Sequence, residues 1–129
     1  MKNYLAIDIG ASSGRHIIGR VEDGKIVLEE VYRFTNSQIR KDGHDCWDID
    51  KLVDSVKQGI DAAMAKGPVE SIGLDTWGVD FVLLDANGER CSDAVAYRDT
   101  RTAGAAEEIE AQVMSFADLY KRTGIQKTS

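Results

Sequence analysis

The sequence has no excess of positive charge. Its 129 residues carry 16 Lys and Arg against 22 Asp and Glu, a formal net charge of -6. A protein that binds a duplex needs a basic face to neutralise phosphates, so nucleic acid is not expected as a partner. Cysteine is scarce, with Cys46 and Cys91 alone, and no Cys-x-x-Cys or His-rich cluster occurs. A metal–thiolate site is therefore not expected, and two free thiols in a reducing cytoplasm are. No apolar run approaches the roughly 20 residues of a membrane span, so no membrane partner is expected. Met1-Lys2-Asn3 runs directly into a strand pattern rather than a signal peptide. Two common phosphate fingerprints are also missing: no Gly-Lys-Ser/Thr of a Walker loop and no Gly-x-Gly-x-x-Gly of a dinucleotide site. No repeat, low-complexity segment or linker divides the chain.

What is present is concentrated in Asp8-Ile9-Gly10-Ala11-Ser12-Ser13-Gly14-Arg15. Apolar runs flank it, Tyr4 to Ile7 before and Ile17-Ile18 after, which predicts strand, tight turn, strand. Gly10 and Gly14 allow positive φ and close approach of a ligand. Ser12 and Ser13 supply hydroxyls, and successive amides in such a turn form a concave anion site. Arg15 adds a cation at the rim. Asp8 ends the first strand and suits a hydrated Mg²⁺, which takes only one or two carboxylates. The same residues also suit a plain hairpin turn, since Asp, Gly and Ser are ordinary turn formers.

The pattern along the chain predicts an α/β domain. Strands are expected at Tyr4–Ile9, Arg15–Val21 and Lys25–Phe34, the last two joined by an Asp23-Gly24 turn. Together they form an antiparallel three-stranded meander. Residues 35 to 45 are polar and read as a loop. A helix capped by Asp48 or Asp50 follows, with Leu52, Val53, Val56, Ile60, Ala63 and Met64 on one face, and Gly67-Pro68 stops it. Ser71 to Asp75 reads as a strand parallel to a neighbour, which makes the sheet mixed. Phe81 to Leu84 and Ala94 to Tyr97 read as further strands around an Asn87-Gly88 turn. A helix to about Met114 is expected to turn Ala106, Ile109 and Val113 inward, and Ser115 caps a short last helix ended by Thr123-Gly124. His16 reads as structural.

Three stretches resemble the FGGY carbohydrate kinases: the octet at Asp8, then Asp75-Thr76-Trp77-Gly78-Val79-Asp80-Phe81-Val82-Leu83-Leu84-Asp85, then Ala96-Tyr97-Arg98-Asp99-Thr100-Arg101-Thr102. The resemblance extends along essentially the whole chain and implies a ribonuclease-H-like (actin-like ATPase) fold. It implies that residues 1–129 are the N-terminal part of the first kinase domain, left incomplete, with the C-terminal domain absent. The implied activity is ATP-dependent phosphorylation of L-rhamnulose at its 1-hydroxyl, with ATP and Mg²⁺ as cofactors. By the same resemblance Ala11, Ser12, Ser13, Gly14 and Arg15 hold the ATP phosphates and Asp8 organises Mg²⁺. Gly78, with Trp77, Asp80 and Tyr97 around it, contacts the ketose. The general base is expected beyond Ser129, so no catalytic residue is assigned in this chain. The chain alone is then expected to be inactive, cytoplasmic and prone to self-association. The alternatives are a kinase of another ketose such as xylulose or fuculose, a stand-alone nucleotide- or sugar-binding module, and a nuclease using Asp8 and Asp75.

Overall fold

The computed structural model describes residues 2–127. Two compact units divide at Tyr97 and Arg98. In the first, strands β1 (Asn3–Ile9), β2 (Ser13–Glu22) and β3 (Lys25–Thr35) form the expected antiparallel meander. Asp23 and Gly24 close its second hairpin with φ of 49° and 75°, the left-handed pair that a two-residue turn matching the strand twist requires. Strand β6 (Val69–Thr76) lies parallel to β1, with Asp8 and Asp75 in register, so the sheet is mixed in the order β3-β2-β1-β6.

Residues 35 to 45 are not one loop. Strands β4 (Gln38–Lys41) and β5 (His44–Trp47) make a short hairpin around Asp42 and Gly43, whose φ values of 48° and 84° repeat the left-handed turn. Strand β7 (Ala94–Val95) adds to β5. The apolar run Phe81–Leu84 does not form the expected strand. Only its end pairs, around the expected Asn87-Gly88 turn: Leu84 bridges Arg90, and the Leu83 carbonyl accepts the Cys91 amide at 2.8 Å, while Phe81, Leu83 and Leu84 are exposed. An apolar run becomes a strand only when a neighbouring backbone pairs along its length, and here the pairing stops at Leu83.

Helix α1 (Ile49–Met64) begins at Asp48, whose Oδ1 accepts the Lys51 amide at 3.1 Å. Its inner line is Ser55, Gly59 and Ala63, flanked by the half-buried Leu52, Val56 and Ile60. Val53 and Met64, expected inside, are exposed. The small line exists because the sheet presents a bulky group there. The His16 imidazole lies against Gly59, and a Cβ on residue 59 would overlap the ring. Leu5, Ile7, Ile9, Ile18 and Phe34 complete this core from the sheet side. Truncating a fully buried isoleucine such as Ile7 or Ile18 to Ala would cost about 2–5 kcal/mol. A second cluster of Trp47, Ala94 and Ala96 packs with Ala11, Ile49, Trp77 and Val82.

The second unit holds a short 3₁₀ turn (Thr100–Thr102) and helices α2 (Ala105–Gln112) and α3 (Phe116–Thr123). Asp99 Oδ1 accepts the Arg101 amide and caps the 3₁₀ turn. Ser115 caps α3 as expected, and Gly124 ends it at φ 68°. Ile109 and Val113, expected inside, are 49% and 68% exposed, so α2 does not bury the face its spacing suggests.

Candidate functional site

The loop from Ile9 to Ser13 joins the ends of β1 and β2. The Gly10 amide donates to the Ser13 carbonyl at 2.9 Å, which closes the turn. Asn36 braces it from outside: its amide donates to the Ser12 carbonyl at 2.9 Å, and its side chain donates to the Gly10 carbonyl at 3.0 Å. Tying down the Gly10 and Ser12 carbonyls orients the Ala11 and Ser13 amides, which share their peptide planes. Among the described residues, the amides of Ala11 and Ser12 make no backbone hydrogen bond. These two amides, one of them held in place through the Gly10 carbonyl, lie beside two serine hydroxyls, an arrangement of the kind that suits an anion. Asn36 follows β3 directly and is the member of this site that sequence reasoning left without a role.

The glycines act differently from expectation. Neither Gly10 nor Gly14 takes a positive φ. Gly14 is a packing glycine, because a Cβ there would overlap the Phe34 ring. It seats the turn on the core rather than bending it.

Asp8 and Arg15 are cross-strand partners on the open face of the sheet. Arg15 places Nε 2.9 Å and Nη2 2.8 Å from Asp8 Oδ2. The rim cation thus sits on the carboxylate expected to organise Mg²⁺. Both side chains are about half exposed, so the pair adds little stability and can open at small cost. Asp75, in register beside Asp8, accepts the Thr76 amide at 3.0 Å. Two oxygen donors at adjacent strand ends, next to the anion turn, fit a hydrated Mg²⁺, which needs little more from protein. No three His, Cys, Asp or Glu side chains gather into a metal cage among the described residues.

The second predicted group divides. Trp77 is partly buried, and its ring lies 4.6 Å from that of Trp47. It reads as core as much as ligand wall. Asp80 accepts both indole N–H groups on Oδ2, from Trp47 at 2.6 Å and from Trp77 at 2.8 Å. Gly78 is exposed, and a Cβ there would meet nothing within 4 Å, so open space stands where a ligand would approach. Gly78 does not take a positive φ; its neighbour Val79 does, at 70°. Tyr97 is 41% exposed and closes the first unit. A separate open groove of about 880 Å³ runs between β3 and α1, lined by Tyr32, Phe34, Asp54 and Gln58 among others. Its lining contains none of the phosphate-, metal- or sugar-site residues expected from the sequence.

Comparison with known proteins identifies the fold. The chain is 52% identical over 124 residues to the rhamnulokinase of Oceanobacillus iheyensis, covering 95% of this chain and 26% of that protein. It is 46% identical over 127 residues to the rhamnulokinase of Ligilactobacillus salivarius, covering 98% and 26%. The chain thus spans about a quarter of the length of the curated relatives it matches. Among solved structures, gluconate kinase from Lactobacillus acidophilus superposes with a TM-score of 0.77 at 18% identity, over 96% of this chain and 25% of that one. Plasmodium falciparum glycerol kinase with ADP gives 0.70 at 19% identity, over 99% and 26%. These neighbours share the actin-like ATPase fold, and the mixed sheet with its antiparallel meander is that fold. Residues 3–129 match the model of the FGGY family of carbohydrate kinases, N-terminal domain, and the chain belongs to that family.

Proposed function

We propose that this chain supplies the phosphate-binding turn and part of the sugar pocket of an ATP-dependent kinase of L-rhamnulose, which it phosphorylates at the 1-hydroxyl in the cytoplasm. The observation that carries the reading is the Gly10–Ser13 turn, braced by Asn36 and offering two unspent amides. The rhamnulokinases it matches at 46–52% identity support the choice of substrate.

In this reading residues 1–129 form the N-terminal part of the first kinase domain. The general base and the adenine pocket belong to the remainder of a longer enzyme. Ala11, Ser12, Ser13 and Gly14 cradle the phosphates. Arg15 leaves Asp8 for a phosphate oxygen when nucleotide arrives, which frees the Asp8 carboxylate. Asp8, with Asp75 beside it, would hold a hydrated Mg²⁺, whose charge neutralises the phosphates when bound. Positioning and charge compensation are the protein's main contribution to phosphoryl transfer, and the turn provides both. Gly78 offers backbone and open space to the ketose, Tyr97 is a further sugar contact, and Trp77 and Asp80 hold the turn. The outer strands β3 and β6 of the four-stranded sheet support self-association of the isolated chain, since unpaired strand edges invite pairing.

The test is a coupled ADP-release assay on the longer enzyme with L-rhamnulose, xylulose and fuculose in parallel, and the product read by ³¹P NMR. The reading expects ADP release driven by rhamnulose and a 1-phosphate product. Preference for xylulose or fuculose would reassign the sugar. No ketose-dependent release from folded enzyme would overturn the kinase reading.

A further inference from the structure

The segment Trp77 to Asp80 contains two features that the phosphate turn and an open glycine do not explain. The first is strain. Val79 is β-branched and sits at φ 70°, although it is exposed and no core packing forces it there. A branched residue in the left-handed region typically costs about 1–3 kcal/mol, and such a conformation persists only where its surroundings over-determine it. The second is a clamp. A single carboxylate oxygen of Asp80 takes the indole N–H of Trp77, three residues before it, and of Trp47, at the end of β5, 33 residues away. Trp47 is 4% exposed, so its N–H has no ready alternative in water. Hydrogen bonds to an ionised carboxylate are about twice as strong as neutral ones. The tilted contact of the two indoles at 4.6 Å fixes where both N–H groups point. The clamp therefore pins residue 80 at one end of the turn, while β6 pins residue 76 at the other. The three residues between them must span that gap in one conformation, and the left-handed Val79 is what closes it.

We propose that Asp80 is a positioning residue for the ketose: its grip on Trp47 and Trp77 holds Val79 in the left-handed conformation and so keeps Gly78 aimed at the sugar. This rests on the reading of Gly78 as a sugar contact. Trp47 then influences sugar affinity from outside the pocket, through the oxygen it shares with Trp77. Asp80 acts through the backbone.

Kinetics of the longer enzyme test this with four variants. Asp80→Ala removes the acceptor and should raise the ketose KM about tenfold, leaving the ATP KM within about twofold. Trp47→Phe keeps a ring against Trp77 but loses one donor, and should raise the ketose KM about threefold. Asp80→Asn keeps an acceptor oxygen and should recover most of the affinity that Asp80→Ala loses. Gly78→Val examines the sugar contact itself and should raise the ketose KM by more than either. Should Asp80→Ala fail to fold, Trp47→Phe and Asp80→Asn decide. A raised ketose KM in Gly78→Val with unchanged values in Trp47→Phe and Asp80→Ala would overturn the clamp and leave the sugar contact standing. Equal damage to ketose and ATP KM in Asp80→Ala would reduce Asp80 to a fold element and overturn the proposal. An unchanged ketose KM in Gly78→Val would remove the sugar contact and the proposal with it.

Discussion

Arg15 and Asp8 face each other across β2 and β1, and two guanidinium nitrogens of Arg15 lie within 2.9 Å of one oxygen of Asp8. The cation and the anion of the proposed phosphate site neutralise one another in this state. In the proposed function, nucleotide binding would exchange that pair for two better-compensated ones, phosphate with arginine and carboxylate with Mg²⁺. The pair is half exposed, so parting it costs little.

Asp8→Ala in the longer enzyme should therefore leave stability nearly unchanged, within about 1 kcal/mol. It should lower kcat by about a hundredfold while the ketose KM moves little, because compensation of phosphate charge is realised mainly in the transition state. Thermal melting and steady-state kinetics check the two parts. A near-normal kcat would remove the Mg²⁺ role from Asp8.

Asn36→Ala removes the side-chain bond to the Gly10 carbonyl, while the Asn36 amide still holds Ser12. One hydrogen bond is typically worth about 1 kcal/mol, or about a fivefold change in an equilibrium. The ATP KM should rise by about that factor with little change in the ketose KM. A larger effect on the ketose would contradict the assignment of the turn to phosphate.

Gly59→Ala sets two effects against each other. Alanine favours the helix by about 1 kcal/mol over glycine. The new methyl would overlap the His16 ring, which is fully buried and hydrogen-bonded to the Val56 carbonyl. Overpacking typically costs about 1–3 kcal/mol, and the buried ring is packed on Tyr32 and Phe34, so the clash is expected to win. Urea denaturation should give a net loss of stability. A gain would mean that the helix can retreat from the sheet.

His16 also sets a pH dependence. Its Nε2–H donates to the Val56 carbonyl at 3.1 Å, and its buried Nδ1 has no partner. Burial lowers its pKa below the usual 6.5, although the Val56 bond works in the opposite direction. Protonation would put a charge on Nδ1 with no acceptor. The unfolded chain then binds the proton more readily than the folded one, so stability is fully present above about pH 6.5 and falls as pH drops below it. The slope approaches 1.4 kcal/mol per pH unit at most for one proton. Urea midpoints between about pH 5 and pH 8 measure it, and His16→Gln, which keeps a donor without titrating, should flatten that part of the curve. An unchanged slope in His16→Gln would assign the effect to other groups.

The meander, α1, the parallel β6 and the caps at Asp48 and Ser115 were legible because each rests on local signals: alternation, helical spacing, turn pairs and capping oxygens. The β4–β5 hairpin was not, although Asp42-Gly43 marks it. Its strands are four residues each and polar at most positions, so no alternation separates them from a loop. Phe81–Leu84 misled in the other direction, since apolar character cannot supply a pairing partner. At the site, the turn and its hydroxyls could be read directly. Gly14 and Gly59 could not, because what they make room for, Phe34 and His16, arrives from another element. The Asp80 clamp was hidden for the same reason, with Trp47 far away in sequence.

In the proposed function the turn from Gly10 to Arg15 holds the phosphates of ATP. Amide ¹H–¹⁵N spectra of this 129-residue chain, titrated with ATP–Mg²⁺, test it most directly. The largest shifts should fall on Ala11, Ser12, Ser13 and Gly14, with a Kd of about 1 mM, since the turn alone supplies few contacts. Shifts confined to the groove between β3 and α1, with the turn unmoved, would contradict it.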